Sequence, residues 1–282
     1  MSQNTGRFAG KVAVVTGSGR RAGLGEAIAR RLAADGASIV LSDIGRSADA
    51  ATPDSMIGGM SEMQALAADI AASTGSRVET FVCDVRKIDS MRAMAAFAVE
   101  KLGGLDFWIN NAGIGYIMKP LLDLEVEEWQ AVIDVNLTGC FNGIKAAAEI
   151  MVPAAKGGRI INIASQAAKS GFPFAAGYCS SKHGLVGLVR STAIELGRHK
   201  ITVNNVCPNH VTTGLGAWQN EYFSKQLGMT MEQYLDAMKG RIPMGRPGVP
   251  ADTANAVAFL CSDEAVYITA ESMNVSGGEE PH

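Results

Sequence analysis

From Gly10 onward, short apolar runs rich in β-branched residues alternate with longer stretches in which alanine, leucine and isoleucine recur at helical spacing. A parallel sheet requires that alternation, because each crossover between parallel strands needs a helix to carry the chain back. The strand candidates are KVAVVT (from Lys11), ASIVLSD (from Ala37), RVETFVCD (from Arg77), LDFWINN (from Leu105), GRIINIAS (from Gly158), ITVNNVCP (from Ile201) and SMNVSG (from Ser272). Helical periodicity runs between them over 24–35, 61–74, 89–102, 125–152, 178–198 and 251–262. These elements predict an α/β chain with one doubly wound, seven-stranded parallel sheet and helices on both faces. No repeat or linker divides the 282 residues, so a single domain over 1–282 is expected. Two connections, 45–60 and 211–250, exceed an ordinary loop, and long connections at strand ends are usually functional. The second is expected to be a substrate lid.

Composition narrows the classes. Hydrophobic residues make up 47% and charged residues 19%, with 32 Gly and 9 Pro, as suits a folded protein with many tight turns. A net charge of -3 gives no general attraction for nucleic acid or an anionic membrane, and neither is an expected partner. Cys83, Cys140, Cys179, Cys207 and Cys261 are odd in number and widely spaced, which fits reduced thiols in the cytoplasm. The start, MSQNTGRFAG, lacks the basic and apolar regions of a signal peptide, and no apolar run is long enough to span a bilayer. No metal site is expected.

The first strand leads into TGSGRRAGLGEAIARRLAADGA, which sets Gly17, Gly23 and Gly25, with Leu24 between the last two, at a strand-to-helix turn. Glycine lets the backbone approach a pyrophosphate, and the helix N-terminus that follows favours its charge. Strand, glycines, helix and second strand stand in the order that dinucleotide binding requires. Asp43 ends the second strand, 18 residues beyond Gly25. A carboxylate there accepts hydrogen bonds from ribose hydroxyls and repels a 2′-phosphate, which favours NAD over NADP. Arg20 and Arg21 argue the other way, since arginine pairs well with phosphate. Asp84, ending the third strand, could meet adenine, with Val85 as a backbone contact, or could cap a helix. After the fourth strand Asn110, Asn111, Ala112 and Gly113 form a compact turn that would lie under a nucleotide.

Ser165, Tyr178 and Lys182 stand in the register S, twelve residues, Y, three residues, K. Tyrosine has an unperturbed pKa of about 10 and is a poor acid-base group at neutral pH. Lys182 at i+4 on a helix would share a face with Tyr178, and its charge would favour the phenolate. Ser165, arriving from a strand end, could donate a hydrogen bond to the same substrate oxygen.

Taken together, the chain resembles the classical short-chain dehydrogenase/reductase family from about Phe8 to Gly278. The matches are Thr16 and Gly17, the NNAG motif at Asn110 to Gly113, Asn136 in VNLTG, and Ser165, Tyr178 and Lys182. The resemblance implies a single-domain Rossmann enzyme, often a homotetramer (or homodimer), that interconverts alcohols and ketones with a nicotinamide cofactor. It assigns catalysis to Asn136, Ser165, Tyr178 and Lys182, with Asn136 fixing a water that links Lys182 to solvent. Lys182 would also hold the cofactor ribose, and Pro208, Val211 and Thr212 would lie beside the nicotinamide.

Three departures stand out. Five residues rather than three separate the first two loop glycines, a lengthening also found in enoyl reductases, whose tyrosine and lysine are generally six residues apart. Asn209 replaces the glycine that commonly follows Pro208, so Asn209 and His210 could face the substrate or be structural. The insertion at 45–60 is similar in length and place to one in the carveol-dehydrogenase-like subgroup, or is a plain surface loop. Gln166 and Trp218 are further substrate candidates, and Tyr116, Phe174, Tyr222 and Phe223 flank them. The expected function is NAD-dependent hydride transfer to or from a secondary alcohol or ketone, a polyol or cyclic alcohol among the candidates. The alternatives are an NADPH-dependent 3-oxoacyl thioester reductase and a non-catalytic dinucleotide sensor.

Overall fold

The computed structural model describes residues 6–46, 57–212 and 215–281. The strands β1 (Val12–Thr16), β2 (Ser38–Asp43), β3 (Val78–Val82), β4 (Phe107–Asn110), β5 (Gly158–Ile163), β6 (Ile201–Pro208) and β7 (Ser272–Val275) fall on the seven predicted runs. They form one parallel sheet in the order β3-β2-β1-β4-β5-β6-β7. The order reverses between β1 and β4, and a crevice opens beyond the carboxyl ends of strands at such a switch point.

The helices are α1 (Leu24–Ala34), α2 (Met60–Thr74), α3 (Ile88–Leu102), α4 (Val126–Ile133), α5 (Gly139–Ala154), α6 (Ala176–Leu196), α7 (Leu215–Gln226), α8 (Met231–Arg241) and α9 (Pro250–Cys261). Period-two alternation along β1 sends Ala13 and Val15 toward Ile28, Leu32, Leu66 and Val257 of α1, α2 and α9. Val12 and Val14 face the opposite layer, where Met94, Ile144 and Val189 come from α3, α5 and α6. Strands buried on both faces read as continuous apolar runs, which is why the pattern located them.

Polar residues inside those runs form a ladder that the apolar pattern does not show. Asn110, Asn162, Asn205 and Ser272 are register partners across β4, β5, β6 and β7. Asn110 Nδ2 donates to Asn162 Oδ1 (2.8 Å), Asn162 Nδ2 to Asn205 Oδ1 (3.1 Å), and Asn205 Nδ2 to Ser272 Oγ (3.0 Å) and to the Leu185 carbonyl of α6 (3.2 Å). Trp108 Nε1 completes the row by donating to Asn110 Oδ1 at 2.7 Å.

Two elements differ from the sequence pattern. The helix expected over 125–152 is broken by a π-helical turn at Asp134–Thr138, between α4 and α5. The extra residue in that turn rotates Asn136 inward onto the backbone of Ile114, and such turns often mark functional positions. The connection over 211–250 contains α7 and α8, which share the small core of Phe223, Tyr234, Leu235, Met238 and Ile242. A Val211–Gly248 bridge closes its base. Within the insertion, Gly45 bridges Gly59, while residues 47–56 lie outside the described residues. Among the described residues no helix is long and apolar enough to cross a membrane.

Candidate active site

At the switch point, backbone meets backbone. Gly17 has φ +62°, and a Cβ there would stand 2.7 Å from Ala112 Cα. A Cβ on Gly25 would stand 2.5 Å from the Gly17 carbonyl and 2.7 Å from Asn111 Nδ2. That amide donates to the carbonyls of Thr16 and Gly17, both at 2.9 Å, and so ties the β4 turn to the glycine loop. Gly23 precedes α1 with no side-chain cap, which leaves the helix amides to a ligand. These features fit a dinucleotide, whose pyrophosphate needs close backbone approach and a helix N-terminus.

The two extra loop residues have a structural reason. Ser18 Oγ donates to the Val15 carbonyl (2.7 Å) and accepts from Ser42 N (3.1 Å), while Glu62 of α2 accepts from Arg21 N (2.8 Å). The loop thus reaches sideways to β2 and α2. Asp43 accepts from Gly19 N (3.1 Å) and Ile44 N (2.8 Å), and also from the Gly58 amide. Burial raises its pKa against those amide bonds and the charge of Arg20. Gly19 was not among the sequence candidates, although a fourth glycine in a lengthened loop was the available signal; a Cβ there would meet Asp43 at 2.7 Å. Asp84 caps its own turn by accepting from Arg86 N (3.1 Å), and it pairs with the Arg86 guanidinium at 2.9 and 3.0 Å. Burial works against its charge, but the arginine wins and its pKa is lowered. Leu24, Asp43, Asp84 and Val85 all line the same cleft.

The cleft, about 690 Å³, continues past Ser165, Tyr178 and Lys182. Ser165 follows β5 as the cap of a short 3-10 turn, and its Oγ accepts from Ala167 N (3.1 Å), which leaves the hydroxyl proton to donate. Tyr178 is hydrogen-bonded to Ser165. Lys182 lies one turn along α6, donates from Nζ to the Ile163 carbonyl (2.8 Å) and stands 5.7 Å from the Tyr178 ring centroid. Burial pushes the Tyr178 phenol up to about 12 against the Ser165 hydrogen bond, and burial also pulls the Lys182 ammonium down. Within the chain itself the phenol is therefore raised by burial, not lowered as the i+4 spacing predicts. Asn136 is fully buried: Nδ2 donates to the Ile114 carbonyl (2.8 Å) and to Ser181 Oγ (3.1 Å), and Oδ1 accepts from Ile114 N (2.8 Å). A Cβ on Gly113 would stand 3.3 Å from Asn136 Oδ1 and 3.7 Å from Lys182 Nζ, so these three residues meet at one point.

Beyond Tyr178 the structure sorts the remaining candidates. Pro208, Asn209, His210, Val211 and Gln166 line the cleft. Thr212 is exposed and does not, and Trp218 stacks on Tyr222 (5.4 Å, 13°) and meets Tyr116 edge-on (5.8 Å) instead of lining it. Sequence reasoning missed Tyr234, Arg241 and Glu279, which line this end. Burial holds the His210 pKa below its ordinary value, against the pull of Glu279 and with the help of the Arg241 charge.

A family model described as enoyl-(acyl carrier protein) reductase matches residues 17–280. A short-chain dehydrogenase/reductase of Armillaria gallica is 35% identical over 269 residues, covering 95% of each chain. Among solved structures, a carveol dehydrogenase of Mycobacterium avium in complex with NAD superposes with a TM-score of 0.88 at 33% identity, covering 98% of this chain and 99% of that one. An actinorhodin polyketide ketoreductase variant with NADPH gives a TM-score of 0.86 at 33% identity, again over 98% and 99%.

Proposed function

The chain belongs to the short-chain dehydrogenase/reductase family, oxidoreductases of alcohols and ketones that bind a nicotinamide cofactor, and on that premise we propose that it is an NAD-dependent dehydrogenase of secondary alcohols. The observation that carries the reading is one cleft holding the glycine cradle at one end and the hydrogen-bonded Ser165–Tyr178 pair with Lys182 further along. Gly17, Gly23, Leu24, Gly25, Asp84, Val85, Asn111, Ala112 and Gly113 would hold the dinucleotide. Asp43 would select NAD, because a buried carboxylate at the end of β2 would accept from ribose hydroxyls and repel a 2′-phosphate. Pro208 and Val211 would flank the nicotinamide. When bound, the cofactor supplies the hydride acceptor or donor.

Tyr178 removes the hydroxyl proton when an alcohol is oxidised and returns it when a ketone is reduced. Ser165 donates to the substrate oxygen and fixes its distance from the phenol. Lys182 supplies the positive charge that stabilises the phenolate. Asn136 braces the β4 turn beneath Lys182 through Ile114 and Ser181. A phenol pushed up to about 12 stays protonated at neutral pH, which suits ketone reduction, and alcohol oxidation should quicken as pH rises. A panel of polyols, cyclic alcohols and hydroxyacyl thioesters, followed by NADH and NADPH absorbance, tests the reading. Turnover of a secondary alcohol with NAD supports it; better turnover of a thioester with NADP would overturn it.

A further inference from the structure

The tail after β7 carries a side chain into the substrate end of the cleft. Gly277 (φ +63°) and Gly278 (φ +93°) form a turn that a residue with a Cβ could enter only under strain. A Cβ on Gly277 would stand 2.8 Å from Ile242 Cγ2, and one on Gly278 3.1 Å from the Pro243 ring. Met244 N donates to the Gly277 carbonyl (3.1 Å), and Ser276 Oγ donates to the Glu280 carbonyl (3.2 Å). The tail is thereby fixed against the end of α8, and Glu279 enters the cleft.

Three side chains meet its carboxylate. Asn209 Nδ2 donates to Oε2 (2.7 Å), His210 Nε2 stands 3.1 Å from the same oxygen, and Arg241 Nε donates to Oε1 (3.2 Å). A carboxylate oxygen accepts two hydrogen bonds, so Oε1 has room for one more donor. Among the described lining residues from the lid and tail, Glu279 and Arg241 are the charged pair. The Glu279 side chain is 18% exposed and that of Arg241 57%, so the negative group is the deeper of the two. Asn209, which touches Glu279, directly follows Pro208 at the nicotinamide end of β6. This end of the cleft thus offers an acceptor with negative charge.

We propose that Glu279 sets the substrate class: its carboxylate accepts a hydrogen bond from a second hydroxyl group, which selects neutral diols and polyols over monohydric alcohols and hydroxy acids. This rests on the dehydrogenase reading above. A substrate hydroxyl would donate to Oε1, whereas a substrate carboxylate would meet a like charge. Arg241 and Asn209 act by positioning Glu279.

The test compares trans-1,2-cyclohexanediol, cyclohexanol and 3-hydroxycyclohexanecarboxylate as substrates with NAD. Wild type, Glu279→Ala and Glu279→Gln are assayed, with thermal unfolding of each as a folding control. In Glu279→Ala the ratio of kcat/KM for the diol over cyclohexanol should fall about tenfold or more, mainly through the diol KM. In Glu279→Gln, which keeps size and an acceptor but loses the charge, the hydroxy acid should gain on the diol by about tenfold. Ratios within threefold of wild type in both variants would overturn the proposal. If Glu279→Ala does not fold, the hydroxy-acid ratio of Glu279→Gln decides. Wild type inactive on all three would sink the dehydrogenase reading and this proposal with it; wild type active with unmoved ratios would sink this proposal alone.

Discussion

Replacing Asn162 with alanine should weaken the protein from the middle of its sheet. Asn162 is fully buried and holds two rungs of the ladder: it accepts from Asn110 Nδ2 at 2.8 Å and donates to Asn205 Oδ1 at 3.1 Å. Asn110 Nδ2 would keep its longer bond to the Cys140 carbonyl (3.3 Å), while Asn205 Oδ1 would lose its donor in a site without solvent. Each neutral hydrogen bond contributes about 1 kcal/mol net, and an orphaned buried polar atom costs about 1–3 kcal/mol, so the change should be about 2–4 kcal/mol. For a chain of this length that corresponds to a melting temperature lower by roughly 4–8 °C. Thermal unfolding followed by far-UV circular dichroism measures it. A double-mutant cycle with Asn205→Ala should show coupling of about 1 kcal/mol or more. A melting point within 1 °C of wild type, or strictly additive single effects, would refute the ladder as a stabilising network.

Further outcomes follow from the same geometry. Gly25→Ala should raise the dissociation constant for NAD about tenfold or more, measured by fluorescence titration, because its Cβ would stand 2.5 Å from the Gly17 carbonyl; unchanged binding would mean that the loop yields. Asp43→Asn should raise the NADP/NAD ratio of kcat/KM about tenfold, since it removes a charge that repels a 2′-phosphate; an unmoved ratio would show that Asp43 does not choose the cofactor. Burial holds the His210 pKa below its ordinary value, so the unfolded chain takes up a proton first as pH falls. Stability is therefore unaffected above about pH 6.5 and declines below it. Urea midpoints at pH 7.5 and 5.5 should show a smaller loss in His210→Gln than in wild type; equal losses would contradict this.

Much of the fold was readable because the sheet is buried on both faces, so β1 and its neighbours appear as continuous apolar runs ending in Gly, Asp or Asn. The ladder was not readable, since Asn110, Asn162 and Asn205 become neighbours only once the strand order fixes their register. Asn136 could be named but not placed, because the π-helical turn that rotates it inward is a backbone feature that helical spacing over 125–152 does not reveal. The connection over 211–250 concealed α7 and α8, which share a small core of their own. Glu279 left one faint trace, the consecutive glycines before it, while its partners Arg241 and Asn209 lie 38 and 70 residues away. The Ser165, Tyr178 and Lys182 spacing was visible at once. What it could not show was that burial, rather than the lysine, dominates the tyrosine.

Alcohol-dependent NADH formation by Tyr178→Phe, with NAD binding checked by titration, tests the proposed chemistry most directly. The phenylalanine keeps the ring that packs with Ala167 and Ala175 but has no proton to exchange. With a secondary alcohol that wild type oxidises, kcat should fall by about 10²–10⁴-fold while NAD still binds. A variant that turns over within threefold of wild type would show that Tyr178 is not the acid-base group.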